Sequence, residues 1–515
     1  MNRQPSKGRI ALNVLSNWAG QFVALALGFF AAPFVVSRLG DSAYGVWILM
    51  ASIAGYLGLM DLGVRGAVTR YTARFSASGD GETASRTVSS ALQIFSATAV
   101  AAVLVSLALA MLAIDHLDIP EGHRAAARMV LLLTGFNVGV SLVTGTFSGI
   151  VAALQRFDLL NLADTTIGVA RTGGTVLALL AGQGIVAMAV IHLVLALFRG
   201  LWFAWLCRRL YPTLRINLRV IDPDHLRLIF SFSLLSFLIH VSGRLIYYTD
   251  ALVIAAFLPI GLLTFFSIGG SLVEYARTLI SSVSYTTSPM ASSLDGAGEH
   301  GRIRTLLTTS ARFSTMILLP VAVTFLFRGS SFIGLWMGEA YAESSGHVLA
   351  ILSLPLLFHA GTHGAGGIML GIGKHKPMVF AMLVEAAANV ALSVALVQTM
   401  GIAGVAWGTA IPSLVSSVAF WPWYVRRAVG VPVSDYLKLV WIRPWAATVP
   451  FALGTAAVER LWPASTMAQF FVQVGLCLIP AGGMYWWVCF SRSDRQAVLA
   501  VVRGRLHRHA QASAL

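Results

Sequence analysis

The sequence predicts an all-α polytopic membrane protein, with about 14 transmembrane helices of the ~20 apolar residues that a span needs. Three observations carry this. Of the 515 residues, 57% are apolar and only 11% charged, where a soluble domain carries about 25% charged residues. The apolar residues gather in long runs. The basic residues sit between those runs, largely on alternate connections.

The first run, 13–37, follows Arg3, Lys7 and Arg9. It is too long for the apolar region of a signal peptide, so it reads as an uncleaved span. The next five runs are 44–64, 88–114, 127–154, 159–181 and 185–207. A second set follows at 228–258, 260–289, 305–327, 347–371, 377–400 and 402–424. Two more, 437–458 and 466–490, close the chain. Segments 228–258 and 260–289 are long enough to tilt or kink.

With both termini cytosolic, most of the 36 lysines and arginines fall on the cytosolic side, as with Arg208, Arg209, Arg215 and Arg219. Only Arg38, Arg124, Arg128, Arg328 and Arg460 fall in external connections. The net charge of +15 is therefore mainly a topology signal, and nucleic-acid binding is excluded as its explanation. The longest external loop is 329–346, with Trp336, Glu339 and Glu343. On the cytosolic side, RYTARF reads as a surface helix and SASGDGETASR as a flexible segment.

A weak internal repeat organises these spans. Leu39-Gly40 leads by a tight external turn into YGVWILMASIAGYL, and Leu258-Pro259 leads likewise into LTFFSIGGSLVEYA. This predicts two six-helix lobes, 1–207 and 208–430, two additional helices over 431–490, and a basic cytosolic tail, 491–515. Parallel repeats of this kind build transporters that alternate around a site. Glycine pairs such as Gly135–Gly139 and Gly404–Gly408 have the spacing that lets membrane helices approach closely.

Enzymatic motifs fail on inspection. Gly371-Ile-Gly-Lys374 has Ile368 where a phosphate loop needs its upstream glycine, and His375 where it needs Ser or Thr. His363-Gly-Ala-Gly-Gly367 lacks a nucleophile elbow. Cys207, Cys477 and Cys489 have no metal-type spacing, and no HExxH pair exists. We expect no cofactor, no metal and no enzymatic activity.

The informative residues are charges inside the spans. Arg171, Arg199, Arg244 and Arg277 each stand where a charge costs about 2.5–3.5 kcal/mol on insertion scales. Such residues normally face a partner or a watery cavity. Arg199 lies about 12 Å from the cytosolic end of its span, within snorkelling reach. Arg244 lies about 24 Å deep and shares a helix face with His240 and Tyr247 or Tyr248. Asp164 and Arg171 share a face, and Glu274 and Arg277 are three residues apart; either pair fits an internal ion pair. Arg244, Arg277, Arg171 and His240 are the candidate anion-binding residues. Asp61, Asp250, Glu274 and Glu385 are the candidate carriers of a coupling ion.

The segment SRLGDSAYGVWILMASIAGYLGLMDLGVRGAVTRYTARFSASGD resembles the oligosaccharide-lipid flippases of the polysaccharide transporter family. Its superfamily also holds multidrug extruders and the peptidoglycan-precursor flippase. The similar features are Leu39-Gly40, Tyr44-Gly45-x-Trp47, Asp61-Leu-Gly63, Arg70-Tyr71 and Ala77-Ser-Gly-Asp80. Gln155-Arg156-Phe157 agrees further on, then Gly371-Ile-Gly-Lys-His-Lys-Pro377, Asn389 and Gly401-Ile-Ala-Gly404-Val-Ala406. Together they cover most of 37–429. The resemblance implies two lobes around a cationic cavity in a bacterial inner-membrane protein. It implies alternating access that moves a polyprenyl-diphosphate-linked oligosaccharide outward, in membrane lipid, toward polysaccharide polymerase machinery. It supplies no matching positions for the buried arginines, which rest on depth alone. The alternatives are a cation-coupled multidrug exporter of the same architecture and, from another class, a membrane glycan polymerase or ligase.

Overall fold

A computed structural model describes residues 7–218, 222–492 and 494–496. Arg3, Arg219 and residues 497–515 of the basic tail lie outside the described residues. Every described regular element is helical. In order they are α1 (Lys7–Leu39), α2 (Asp41–Leu57), α3 (Val64–Ser78), α4 (Gly81–Leu112), α5 (Glu121–Ala153) and α6 (Phe157–Leu180). Then come α7 (Ile185–Leu210), α8 (Pro223–Phe257), α9 (Leu262–Gly296), α10 (His300–Met337), α11 (Glu339–Ser353) and α12 (Leu356–Gly371). The last are α13 (Lys376–Val415), α14 (Trp421–Val429), α15 (Val433–Tyr436), α16 (Arg443–Leu461) and α17 (Met467–Met484).

Among the described residues, nine helices are long and apolar enough to cross a membrane, or ten if α11 and α12, bent by 43°, count as one span. This makes the chain a multi-pass membrane protein. Runs 88–114, 127–154, 159–181 and 185–207 fall on α4, α5, α6 and α7, whereas run 347–371 falls on two helices, α11 and α12. Runs 377–400 and 402–424 fall in one continuous element broken at Gly401, whose φ of 58° lies outside the helical region. The α6 and α16 helices carry several charges each (Asp158, Asp164 and Arg171; Arg443, Glu459 and Arg460), which sets them apart from the plainly apolar spans.

Two expectations about connections are corrected. The external loop 329–346 is helical: α10 continues to Met337, turns at Gly338 and passes into α11. SASGDGETASR is the junction of α3 and α4. Gly79, in the left-handed region, ends one helix, and the Asp80 side chain accepts from the Thr83 backbone N–H at 3.0 Å to open the next. The Thr83 hydrogen bonds hold the Asp80 carboxyl below the usual carboxylate range. RYTARF is not merely a surface helix either, since Val64, Ala67, Val68, Tyr71 and Thr72 of α3 are buried.

The chain folds as two compact units, Met1–Ser267 with Met382–Thr409, and Ile268–Ala381 with Ala410–Leu515. In the first, α3, α4, α5 and α7 pack around a core that includes Val68, Phe95, Ile150 and Phe203. Small residues permit the approach: a side chain at Gly139 would touch Ala99 of α4, and one at Gly200 would collide with Thr144 of α5. The two tight turns of the sequence repeat meet here as well. The Thr264 hydroxyl donates to the Asp41 carbonyl at 2.7 Å, and Gly45 lies against the Ile260 carbonyl.

In the second unit, α10 is the central element, packed by α11, α12 and α16. Arg328, expected in an external connection, is instead inside α10 and 1% exposed. Its Nε donates to Glu459 of α16 at 2.6 Å and its Nη2 to Gln473 of α17 at 2.6 Å, while its guanidinium lies over the Phe470 ring. Ser331 also donates to Glu459. At the other end of α10, Arg312 donates to Asp494 at 2.9 Å. The two C-terminal helices are thus fastened to α10 by charge as well as by the apolar cluster of Val323, Phe451 and Cys477.

Candidate functional site: a cationic cavity in the first unit

The second span does not run straight into α3. After Leu57 the chain tightens into a 3₁₀ turn over Gly58–Asp61, and then Leu62 (φ 52°) and Gly63 (φ 75°) both take the left-handed region. Gly63 does so freely. For Leu62 this conformation costs about 1–2 kcal/mol, which the surrounding packing must hold in place. The break re-aims the chain so that the first residues of α3 face inward.

What they face is a cavity of about 670 Å³. Its floor and walls come from the 58–63 turn, from Arg65, Gly66, Thr69 and Arg70 of α3, from Val138, Ser141 and Leu142 of α5, and from Phe237, His240 and Arg244 of α8. Among the described residues, three arginines and a histidine therefore face one carboxylate, Asp61. The Arg65 guanidinium rests on Gly145 of α5, where a side chain would strike it. Its Nε is 3.4 Å from Asp61 Oδ2, a loose pair. Arg244 donates through Nη1 to the Tyr248 hydroxyl at 2.8 Å, and its guanidinium lies 5.1 Å from the centroid of that ring. No carboxylate stands within ion-pair distance of Arg244 among the described residues. The site can therefore offer several fixed cations to an anionic group.

Farther along α8 a second polar group is buried. Asp250 is 7% exposed, and both its oxygens lie near Thr409 Oγ1, at 2.9 and 2.8 Å. Thr409 accepts from Asn389 Nδ2 at 2.8 Å, and Asn389 Oδ1 is buried without a hydrogen-bond donor. One turn before Asn389 on α13 stands Glu385, half-buried and partnered. Thr249 shares a short hydrogen bond with Tyr56 of α2.

The expected residues separate accordingly. Arg244, His240 and Asp61 come together in the cavity, and Asp250 joins the Thr409 cluster. Arg171 is on the exposed face of α6 and does not line the cavity. Asp164 is not its ion-pair partner: Asp164 accepts from Arg199 of α7 at 2.7 Å. That contact also corrects the snorkelling expectation for Arg199, which is held in place by Asp164 and by the Phe203 ring 4.8 Å away. Arg277 and Glu274 lie on α9 in the second unit, Arg277 half-buried and partnered. Arg65 and Arg70 are absent from the expected set, because each reads in sequence as one more basic residue of a cytosolic connection. The signal for them is the Asp61-Leu-Gly63 break, which turns α3 back toward α5 and α8.

Comparison with known proteins agrees with this architecture. The solved structure "Lipid II flippase MurJ, inward closed conformation" superposes with a TM-score of 0.70 at 16% identity, covering 92% of this chain and 99% of that one. An inward-facing multidrug resistance MATE family transporter of the MOP superfamily gives a TM-score of 0.63 at 15% identity, over 80% and 96%. The fold is thus that of the all-helical MOP membrane transporters. A family model described as "Polysaccharide biosynthesis protein" matches residues 39–346, and the chain belongs to that family. A relative over nearly the full length is "Uncharacterized membrane protein EpsK" of Bacillus subtilis (strain 168), 22% identical over 95% of this chain and 97% of that one.

Proposed function

We propose that the protein is a flippase that moves a polyprenyl-diphosphate-linked oligosaccharide from the inner to the outer leaflet of the bacterial plasma membrane. It does so by alternating access, and it makes and breaks no covalent bond. The outward cargo feeds surface polysaccharide assembly, of the exopolysaccharide or O-antigen kind, where polymerase machinery takes it over. The observation that carries this reading is the cavity in which Arg65, Arg70, Arg244 and His240 outnumber Asp61. A planar guanidinium binds phosphate oxygens through two parallel hydrogen bonds, and several in one cavity suit a diphosphate better than a neutral or cationic drug. Thr69 and Ser141 add hydroxyls for the first sugar.

A membrane potential negative inside favours outward anion movement by about 2.3 kcal/mol per charge per 100 mV, or roughly 4–5 kcal/mol for two charges crossing the full field. Coupling to a cation would add to this. Asp250, with Thr409 and the unsatisfied oxygen of Asn389, is the oxygen-rich buried group best suited to take up a proton or a monovalent cation. Glu385 stands one helical turn from Asn389 and is half-buried, as is Asp61, while Glu274 is exposed.

The test is glycan export by cells carrying Arg244→Ala or Arg65→Ala at wild-type protein abundance. Losing a charged hydrogen-bonding partner worth about 1.5–3 kcal/mol lowers export by roughly tenfold or more. Full export in both variants would overturn the assignment.

A further inference from the structure

Asp61, the only carboxylate lining the cavity among the described residues, is placed where it meets the groups that would hold an anion. Its Oδ2 lies 3.4 Å from Arg65 Nε, and its Oδ1 lies 3.4 Å from the Arg65 backbone nitrogen in the first turn of α3. Charge-assisted N–H···O contacts are normally about 2.7–2.9 Å. Other arginine–carboxylate pairs in this chain are that short or shorter: Arg199–Asp164 at 2.7 Å, Arg128–Asp115 at 2.6 Å, Arg328–Glu459 at 2.6 Å. Asp61 is therefore close enough to neutralise Arg65 electrostatically without being clamped to it. Its position is set by a strained turn, with Leu62 at φ 52° directly behind it. Strain of this kind persists where the surroundings demand a particular placement.

We propose that Asp61 is a resident counter-anion: it occupies Arg65 while the cavity is empty, yields to the incoming diphosphate, and competes it off again. A cavity with three arginines and no such competitor would bind a diphosphate tightly and release it slowly. Asp61 thus trades affinity for turnover. This rests on the diphosphate reading of the cavity, and it assigns Asp61 a role different from that of a coupling-ion carrier.

The experiment measures binding of farnesyl diphosphate to the full-length protein in lipid nanodiscs, alongside export in cells. Asp61→Asn removes the competing charge and keeps the shape. At the few-ångström separation seen, partly screened by water, this tightens binding about tenfold while export falls. Asp61→Glu restores both values toward wild type. In an Arg65→Gln background the gain from Asp61→Asn shrinks to about twofold or less, because the pair acts as a unit. Asp61→Ser, with the same expected direction, serves if Asp61→Asn is poorly folded. If wild-type protein binds the probe in an Arg244-dependent way but Asp61→Asn and Asp61→Ser bind no tighter, the counter-anion role is overturned and the cavity reading stands. The role is overturned equally if Asp61→Asn keeps wild-type affinity and loses only its dependence on an ion gradient. If wild-type protein does not bind the probe, or Arg244→Ala binds equally well, the cavity reading falls and the counter-anion role falls with it.

Discussion

Arg244 is held by Tyr248, one helical turn further along α8, through a 2.8 Å hydrogen bond to the phenol oxygen. Tyr248 is itself fixed, since its ring packs on Gly55 of α2, where an added Cβ would come within 2.7 Å. Tyr248→Phe keeps the ring under the guanidinium and deletes only the acceptor. With a hydrogen bond to a charged group worth about 1.5–3 kcal/mol at most, export should fall several-fold at unchanged abundance. Export equal to wild type would mean that Arg244 needs no such support.

The buried cluster on α8 and α13 makes a separate prediction. Asp250→Asn and Thr409→Val should each weaken the response of flipping to an imposed proton or sodium gradient in proteoliposomes. A coupling free energy of about 1–3 kcal/mol corresponds to a 5–150-fold gradient effect, which these variants should largely abolish. An unaltered gradient response in both would remove this cluster from the transport cycle.

Arg328 and Glu459 should behave as a structural pair. Breaking a buried ion pair by removing one partner costs about 3–5 kcal/mol, so Arg328→Ala and Glu459→Ala should each lower the thermal unfolding midpoint markedly. Replacing both together, Arg328→Met with Glu459→Leu, should recover most of the loss, because no unmatched charge remains. Detergent-solubilised protein followed by tryptophan fluorescence would measure it.

Close approach at the paired turns is testable by a single methyl. In Gly45→Ala the new carbon would lie well inside van der Waals contact of the Ile260 carbonyl, a backbone atom that cannot swing aside. Overpacking costs about 1–3 kcal/mol, which a lowered unfolding midpoint would report. Gly66→Ala, with nothing within 4 Å, is the control expected to be near neutral in stability.

The helical architecture could be read in the sequence because long apolar runs admit few other structures in a bilayer, where every backbone polar group must be satisfied internally. Depth alone singles out Arg244, and the structure sets that residue in a cavity wall. The same criterion misplaces Arg199, since an ion pair between α6 and α7 depends on which faces those helices turn to each other, and spacing within one helix says nothing of that. It also puts Arg328 in an external connection, because α10 extends beyond its apolar run by burying a charge against helices met more than a hundred residues later. Arg65 and Arg70 are hidden by the company they keep: among 36 basic residues most do set topology. Only the left-handed break at Leu62 and Gly63 distinguishes these two.

The Arg328–Glu459 contact also has a consequence for biogenesis. Its partners are 131 residues apart, so at a synthesis rate of about 5–20 residues per second α10 waits on the order of ten seconds before its counter-charge exists. Throughout that interval a guanidinium destined for complete burial has to be tolerated by the insertion machinery or the membrane edge. A chain ended after α14 would never be relieved of it. The last two helices are thus what allow an earlier one to settle, and their loss should show first as degradation of nascent protein rather than as slow transport.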